Sequence, residues 1–187
     1  AIGAALLVEP FHSSAVLATR LISALAQGAQ REQLLGALTS GDVIAVFAYD
    51  EDGDWFAPRS TVATREGDGW RLQGWKSCVY HAPMARWLLV SARVGDGVGV
   101  FMVDREAAGV ALRDYCTIDG MRAADVELDV MVAVDSRLGD ADASEAIDEA
   151  LDRGITALGA DALGVLDRVL AATVQYARDR VQFGTAI

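Results

Sequence analysis

Cysteine is nearly absent from this chain. Cys78 and Cys116 are its only two in 187 residues, too few for a disulfide scaffold or a metal knuckle, so a reducing, cytoplasmic setting is the default expectation. Basic residues are also scarce. Lys76 is the single lysine, and 16 Lys and Arg stand against 27 Asp and Glu, a formal net charge of −11. A groove that tracks phosphates needs clustered cations, and the arginines here are scattered among acids, so no nucleic-acid partner is expected. The same acidity argues against anionic membrane surfaces. Apolar runs such as Trp87–Ala92 fall far short of the roughly 20 residues a bilayer-spanning helix requires. The opening Ala1–Val8 is apolar but lacks the basic flank of a signal peptide.

Catalytic motifs are equally sparse. There is no Walker lysine, no Gly-x-Ser-x-Gly elbow and no evident nucleophile–base pair. His12 and His81 lie far apart, and neither has metal-ligand spacing. Gly95-Asp96-Gly97-Val98-Gly99 resembles a phosphate loop, but strand patterns flank it on both sides where such a loop needs a following helix, so a hairpin turn is expected.

What is present is ample core material, 52% hydrophobic residues, arranged in three zones. Residues 1–41 are helical: Ser13 or Ser14 is placed to cap a helix through Leu25, Gly28 to terminate it, and a second helix runs from about Gln30 to Thr39 and stops at Gly41. Residues 42–140 change to a period of two. Val43–Tyr49, Thr61–Glu66, Trp70–Gly74, Trp87–Arg93, Val98–Val103, Val110–Tyr115 and Asp125–Val134 are strand candidates, with Asp68-Gly69 as a hairpin turn. Residues 141–187 are helical again. The expected fold class is α+β: N-terminal helices, a middle antiparallel β-sandwich or barrel domain, and the start of a C-terminal helical bundle, cut short. The last segment carries the strongest pattern. Leu163, Leu166, Val169, Leu170, Val174 and Ala177 recur every three or four residues, an apolar stripe that needs partner helices to cover it.

Two local patterns bear two readings each, and a third bears one. Asp50-Glu51-Asp52-Gly53-Asp54 follows a buried strand and is either a solvated turn or a cation loop, although it lacks the alternating ligands and terminal Glu of a calcium loop. Trp75–His81 mixes polar, aromatic and thiol groups at a strand end: a flat ligand's platform or a mixed-face edge strand. Arg180-Val181-Gln182-Phe183-Gly184 has the residue types of a helix C-terminus.

Taken in order, these segments resemble the acyl-CoA dehydrogenase family. Gly159 to Gly164, followed by Tyr176-Ala177-x-x-Arg180-x-Gln182-Phe183-Gly184-x-x-Ile187, is similar to that family's signature at the start of its C-terminal helical domain. Gly69-Trp70-x-Leu72-x-Gly74-x-Lys76 and Ala82 to Ala92 resemble its middle β-domain, Asp119-Gly120-Met121-Arg122 the segment before its last strands, and Gln27 to Gly41 its N-terminal helices. Val8-Glu9-Pro10-Phe11, Tyr80-His81 and Asp119 to Ala124 look most like the small-subunit branch typified by pimeloyl-CoA dehydrogenase.

The resemblance implies an FAD-dependent oxidoreductase acting on acyl-CoA thioesters at Cα–Cβ, in a homo- or hetero-oligomer, a tetramer in many members, with electron-transfer flavoprotein as a possible acceptor. It places Asp50, Glu51, Cys78, Val79 and Tyr80 around the isoalloxazine. It assigns Arg180, Gln182, Phe183 and Gly184 to the pyrophosphate and adenine end of FAD in a neighbouring subunit, a role that suits a guanidinium's bidentate grip on phosphate. Asp50 stands where the family usually has Thr or Ser, and Cys78-Val79-Tyr80 replaces its usual Trp-Ile-Thr or Ser. The resemblance puts the catalytic base beyond Ile187 or, in a minority of members, near Gly154 or Ile155, neither of which takes a proton, so no catalytic residue is expected within these 187 positions. The alternative implied is a non-catalytic partner subunit with a degenerate flavin pocket.

Overall fold

The computed structural model describes residues 2–53 and 59–187; Ala1 of the opening apolar run and Asp54 and Trp55 of the acidic loop lie outside them. Four segments of helix come first. A short α1 (Ile2–Ala5) precedes a π-helical stretch, Phe11–Ala18, that runs directly into α2 (Thr19–Leu25); α3 spans Gly28–Ser40. Neither Ser13 nor Ser14 caps a helix, contrary to expectation: the helical stretch starts earlier, at Phe11, with Pro10 before it, and the Ser13 hydroxyl bonds His81 instead. Gly28 does adopt a left-handed φ of 51°, but as the first residue of α3 rather than the terminator of α2. Gly41, at φ 80°, closes α3 as expected.

The strands are β1 (Ala45–Ala48), β2 (Val62–Glu66), β3 (Gly69–Tyr80), β4 (Trp87–Val94), β5 (Gly97–Asp104), β6 (Val110–Cys116) and β7 (Arg122–Ala133). They form one seven-stranded sheet in the order β1-β4-β2-β3-β7-β6, with β5 on β4. Most pairings are antiparallel, but β1 and β2 both meet β4 in parallel, so the curled sheet is mixed rather than purely antiparallel. The physical reason is the long crossover between β1 and β4, which can return a strand in parallel where a tight turn cannot. The β2–β3 and β4–β5 hairpins turn at Gly67-Asp68 and Gly95-Asp96, so the glycine-rich run is a turn between strands.

Alternation assigns the sheet's two faces. Val46, Ala48, Leu72, Leu88, Val90, Phe101 and Val126 share one core. Ala45, Phe47, Leu89 and Val100 face the other way, onto Leu21, Ile22, Leu138, Ile147 and Ala150. The first half of the long helix α4 (Ser144–Asp179) is thereby fixed to the sheet, and an Arg20–Glu149 ion pair ties it to α2. The molecule is thus α+β, with helices before and after a curled sheet. The second half of α4 leaves the sheet with its stripe in the open: Leu163, Leu166, Val169 and Leu170 are 55–64% exposed. None of the described helices is long and apolar enough to cross a membrane.

Candidate functional site

β3 is regular until Lys76 and then breaks. The pairing with β7 shifts register between Lys76 and Val79, and Cys78 takes a left-handed φ of 48°. A bulge of this kind re-aims the side chains beside it. Its geometry is held by Asp125 of β7, whose Oδ1 accepts from the Cys78 backbone N–H at 3.0 Å and the Tyr115 hydroxyl at 2.9 Å, while Oδ2 accepts from Arg113 at 2.9 Å. The Cys78 N–H, then the Tyr115 and Arg113 bonds, hold the Asp125 carboxyl below its usual range despite desolvation. Burial pushes the Tyr115 hydroxyl up.

The loop after β1 is strapped to this bulge. Lys76, with no exposed side-chain surface, donates to Glu51 Oε1 at 2.6 Å, Ser91 Oγ at 3.1 Å and the Tyr49 carbonyl at 3.3 Å. Burial lowers the Lys76 ammonium to about 8 even with Glu51 beside it. Desolvation would raise the Glu51 carboxyl, but the Lys76 bond and charge, with Ser60 and Thr61, bring it down to about 2. The Ser77 N–H donates to the Asp50 carbonyl at 2.9 Å and the Ser77 hydroxyl to Asp52 Oδ1 at 2.5 Å. Desolvation on its protein side raises the Asp50 carboxyl, against the pull of Arg59 and Lys76.

The structure therefore sorts the five residues expected around the isoalloxazine. Asp50, Cys78 and Tyr80 keep accessible side chains near one rim, Tyr80 being 42% exposed. Val79 is 2% exposed and belongs to the core, paired with Ala124 of β7, so it is withdrawn from the rim. The Glu51 carboxylate is committed to Lys76, Ser60 and Thr61.

Beyond Tyr80 the chain turns at His81, also left-handed at φ 62° and 2% exposed. Its Nε2 donates to the Val8 carbonyl at 3.0 Å, which leaves Nδ1 to accept from the Ser13 hydroxyl at 2.8 Å. The neighbouring His12 Nε2 donates to the Gly154 carbonyl of α4 at 3.1 Å. These bonds pin residues 8–13 between β3 and α4 and leave beside them a cavity of about 370 Å³, walled by Leu7, Phe11, Met121 and Leu158. Two glycines permit the close approach of α1 and α4 beside it. A Cβ on Gly3 would stand 2.0 Å from the Asp161 carbonyl oxygen, and one on Gly164 would stand 2.9 Å from the Ala4 nitrogen. Sequence reasoning gave His12 and His81 no role and Ser13 only that of a helix cap, because a lone polar residue carries no periodic signal; long-range contacts give them their roles.

The other four candidates lie elsewhere. α4 ends at Asp179, and Arg180 is already extended at φ −81°, ψ 117°. Val181–Gln182 and Thr185–Ala186 form a two-stranded hairpin, β8 and β9. Phe183 and Gly184 supply its turn with φ of 53° and 85°, the paired positive angles of a type I′ turn. Gly184 is thus a hairpin residue and not a helix terminator. Phe183 is fully exposed. The Arg180 guanidinium meets the hydroxyl and ring of Tyr176, and among the described residues no carboxylate pairs with it. From Asp161 at the cavity to Arg180 is 19 residues of helix, about 28 Å at 1.5 Å per residue. The two groups of candidates do not meet within one chain.

Known proteins share this fold. Residues 50–131 match the family described as acyl-CoA dehydrogenase, middle domain. The human mitochondrial short-chain specific acyl-CoA dehydrogenase is 31% identical over 170 residues, covering 84% of this chain and 41% of the human one. A glutaryl-CoA dehydrogenase from Mycobacterium smegmatis in complex with FADH2 superposes with a TM-score of 0.88 at 23% identity, over 94% of this chain and 47% of that one, a likeness of fold. The ChsE4–ChsE5 complex from Mycobacterium tuberculosis superposes with a TM-score of 0.88 at 28% identity, over 99% of this chain and 50% of its own. The chain spans about two fifths to one half of the length of the curated relatives it matches. By its middle-domain match and these relatives, this chain belongs to the acyl-CoA dehydrogenase family.

Proposed function

We propose that this chain is part of a subunit that oxidises the Cα–Cβ bond of an acyl-CoA thioester with FAD, within a homo- or hetero-oligomer. The observation that carries this reading is the division of the candidate residues between the β3 bulge with its strapped loop and the hairpin that follows α4, neither sufficient alone. The residues present fit the cofactor in part. Asp50, Cys78 and Tyr80 offer an accessible rim for a flat ring. Arg180 offers a guanidinium with no carboxylate partner among the described residues, suited to a phosphate held by a neighbouring subunit. Gln182 can add a hydrogen bond there, and the exposed ring of Phe183 a stacking surface.

FAD when bound supplies the hydride-accepting chemistry. This chain's own residues do the positioning. The Lys76–Glu51 strap and the Ser77 bonds fix the loop bearing Asp50 against the bulge bearing Cys78, and the cavity beside His81 gives an acyl group an apolar surface to lie against. The family's electron acceptor, an electron-transfer flavoprotein, is the expected redox partner.

A second reading, the partner subunit that lends its Arg180 hairpin to a catalytic neighbour, is favoured by one observation. Gly154 is buried against Leu17 and His12 and takes no proton, so the α4 wall carries no base at that position. Co-expression with a large subunit of the same family, followed by flavin quantitation per chain, tests both readings. One flavin per subunit pair supports the partner role, one per chain supports a pocket of its own, and a colourless complex that still turns over acyl-CoA removes the FAD assignment.

A further inference from the structure

The cavity between residues 2–12, His81 and α4 also states what it will not accept. Its walls are apolar at Leu7, Phe11, Met121 and Leu158, and the charges that join them, Glu9 and Asp161, are both negative. No lysine or arginine lines it. The two imidazoles offer little to an anion: both nitrogens of His81 are engaged by Val8 and Ser13, and the Nε2 hydrogen of His12 is given to the Gly154 carbonyl. Asp161 is held in place by the α1–α4 crossing, its Oδ1 lying 2.8 Å from where a Gly3 Cβ would be.

A carboxylate entering such a space needs charge-assisted donors. Here it would find none and would meet two like charges beside half-exposed apolar walls. Resting on the reading of this cavity as the acyl site, we propose that it takes uncharged, apolar acyl groups and rejects those that end in a carboxylate. Glu9 at the mouth and Asp161 at the α1–α4 crossing are the specificity-determining residues. The dicarboxylic class of acyl thioester is thereby excluded, and an alkyl or alicyclic acyl group admitted.

Methyl-labelled methionine NMR of the whole chain tests this, because Met121 lines the cavity and Met84, Met102 and Met131 do not. The probes are the hexanoyl and adipoyl thioesters of N-acetylcysteamine, which differ only in the terminal carboxylate. The expected result is a Met121 shift that saturates with the hexanoyl probe, with the adipoyl probe at least roughly tenfold weaker. Added salt should strengthen adipoyl binding by screening the repulsion while leaving hexanoyl binding nearly unchanged; this readout needs no variant. In Glu9→Gln/Asp161→Asn the gap should close to within about threefold. Equal affinities in the unaltered chain overturn the proposal, as does a gap that neither salt nor the double substitution narrows. If neither probe moves Met121, the assignment of the cavity to an acyl group falls, and the exclusion falls with it.

Discussion

Lys76 Nζ lies 2.6 Å from Glu51 Oε1, with the lysine side chain wholly buried and the glutamate 11% exposed. This pair joins the middle of β3 to the loop after β1, two segments 25 residues apart that between them carry Asp50 and Cys78. A pair so placed stabilises little relative to an apolar core, but removing one member strands the other charge.

Glu51→Gln should therefore destabilise the chain by about 3 kcal/mol near neutral pH, read as a lower denaturant midpoint by circular dichroism. The acid dependence follows from the Glu51 carboxyl, which drops from 4.5 to about 2 on folding. Its contribution is complete above about 4.5 and is lost as pH falls through about 2, because in that window the unfolded chain binds the extra proton. The stability gap between the unaltered chain and Glu51→Gln should shrink across that range. A gap that stays constant would show that the pair does not set the acid limb.

His81 joins β3 to the segment ahead of α2 through Val8 and Ser13. His81→Ala should lose both bonds and leave a left-handed alanine, at about 2–3 kcal/mol. His81→Asn should lose less, since asparagine tolerates that backbone conformation. Amide exchange in residues 2–13 should rise far more in the alanine variant than in the asparagine one; equal rises would assign the effect to the ring alone.

The α4 wall distinguishes two neighbouring positions. A Cβ on Gly154 would stand 2.7 Å from Leu17 Cδ2 and 3.2 Å from His12 Nε2, whereas Ile155 is 67% exposed. Gly154→Glu should cost about 3 kcal/mol or prevent folding, through overpacking and a buried carboxylate. Ile155→Glu should stay within about 1 kcal/mol. Thermal unfolding of the two variants measures the difference directly, and comparable losses would mean that helix α4 is not seated as described.

Arg180 is exposed at the start of the terminal hairpin. Arg180→Ala should leave chain stability within about 0.5 kcal/mol, yet reduce FAD retention by the co-expressed oligomer several-fold, as loss of a charge-assisted phosphate contact would. Gly184→Val, which places a β-branched residue at φ 85°, should unfold the hairpin and lose flavin in the same way. Flavin content unaffected by either change would remove the phosphate role.

Much of this architecture is local and was legible before any coordinates. Alternating side chains gave the strands, because the period of two sets which face each residue shows; Val46 and Phe47 do fall in opposite cores. Glycine marked Gly41 and the Gly95-Asp96 turn, since few other residues adopt a left-handed backbone without strain, but the first hairpin turns at Gly67-Asp68, one residue before the expected Asp68-Gly69. The stripe on α4 was visible as periodicity, whereas its exposure depends on what packs against it and is a tertiary property.

Long-range partners were not legible. The parallel seats of β1 and β2 on β4 depend on a crossover whose path no local pattern encodes. The burial of Lys76, the bridges of His81 and His12, the close crossing at Gly3 and the withdrawal of Glu51 and Val79 from the rim each join residues tens of positions apart. Pattern and turn chemistry act over a few residues, so the sequence by itself determined the elements and their faces. The open cavity beside α4, its negative lining and the distance to Arg180 exist only once those elements pack, because a cavity is a property of surfaces brought together.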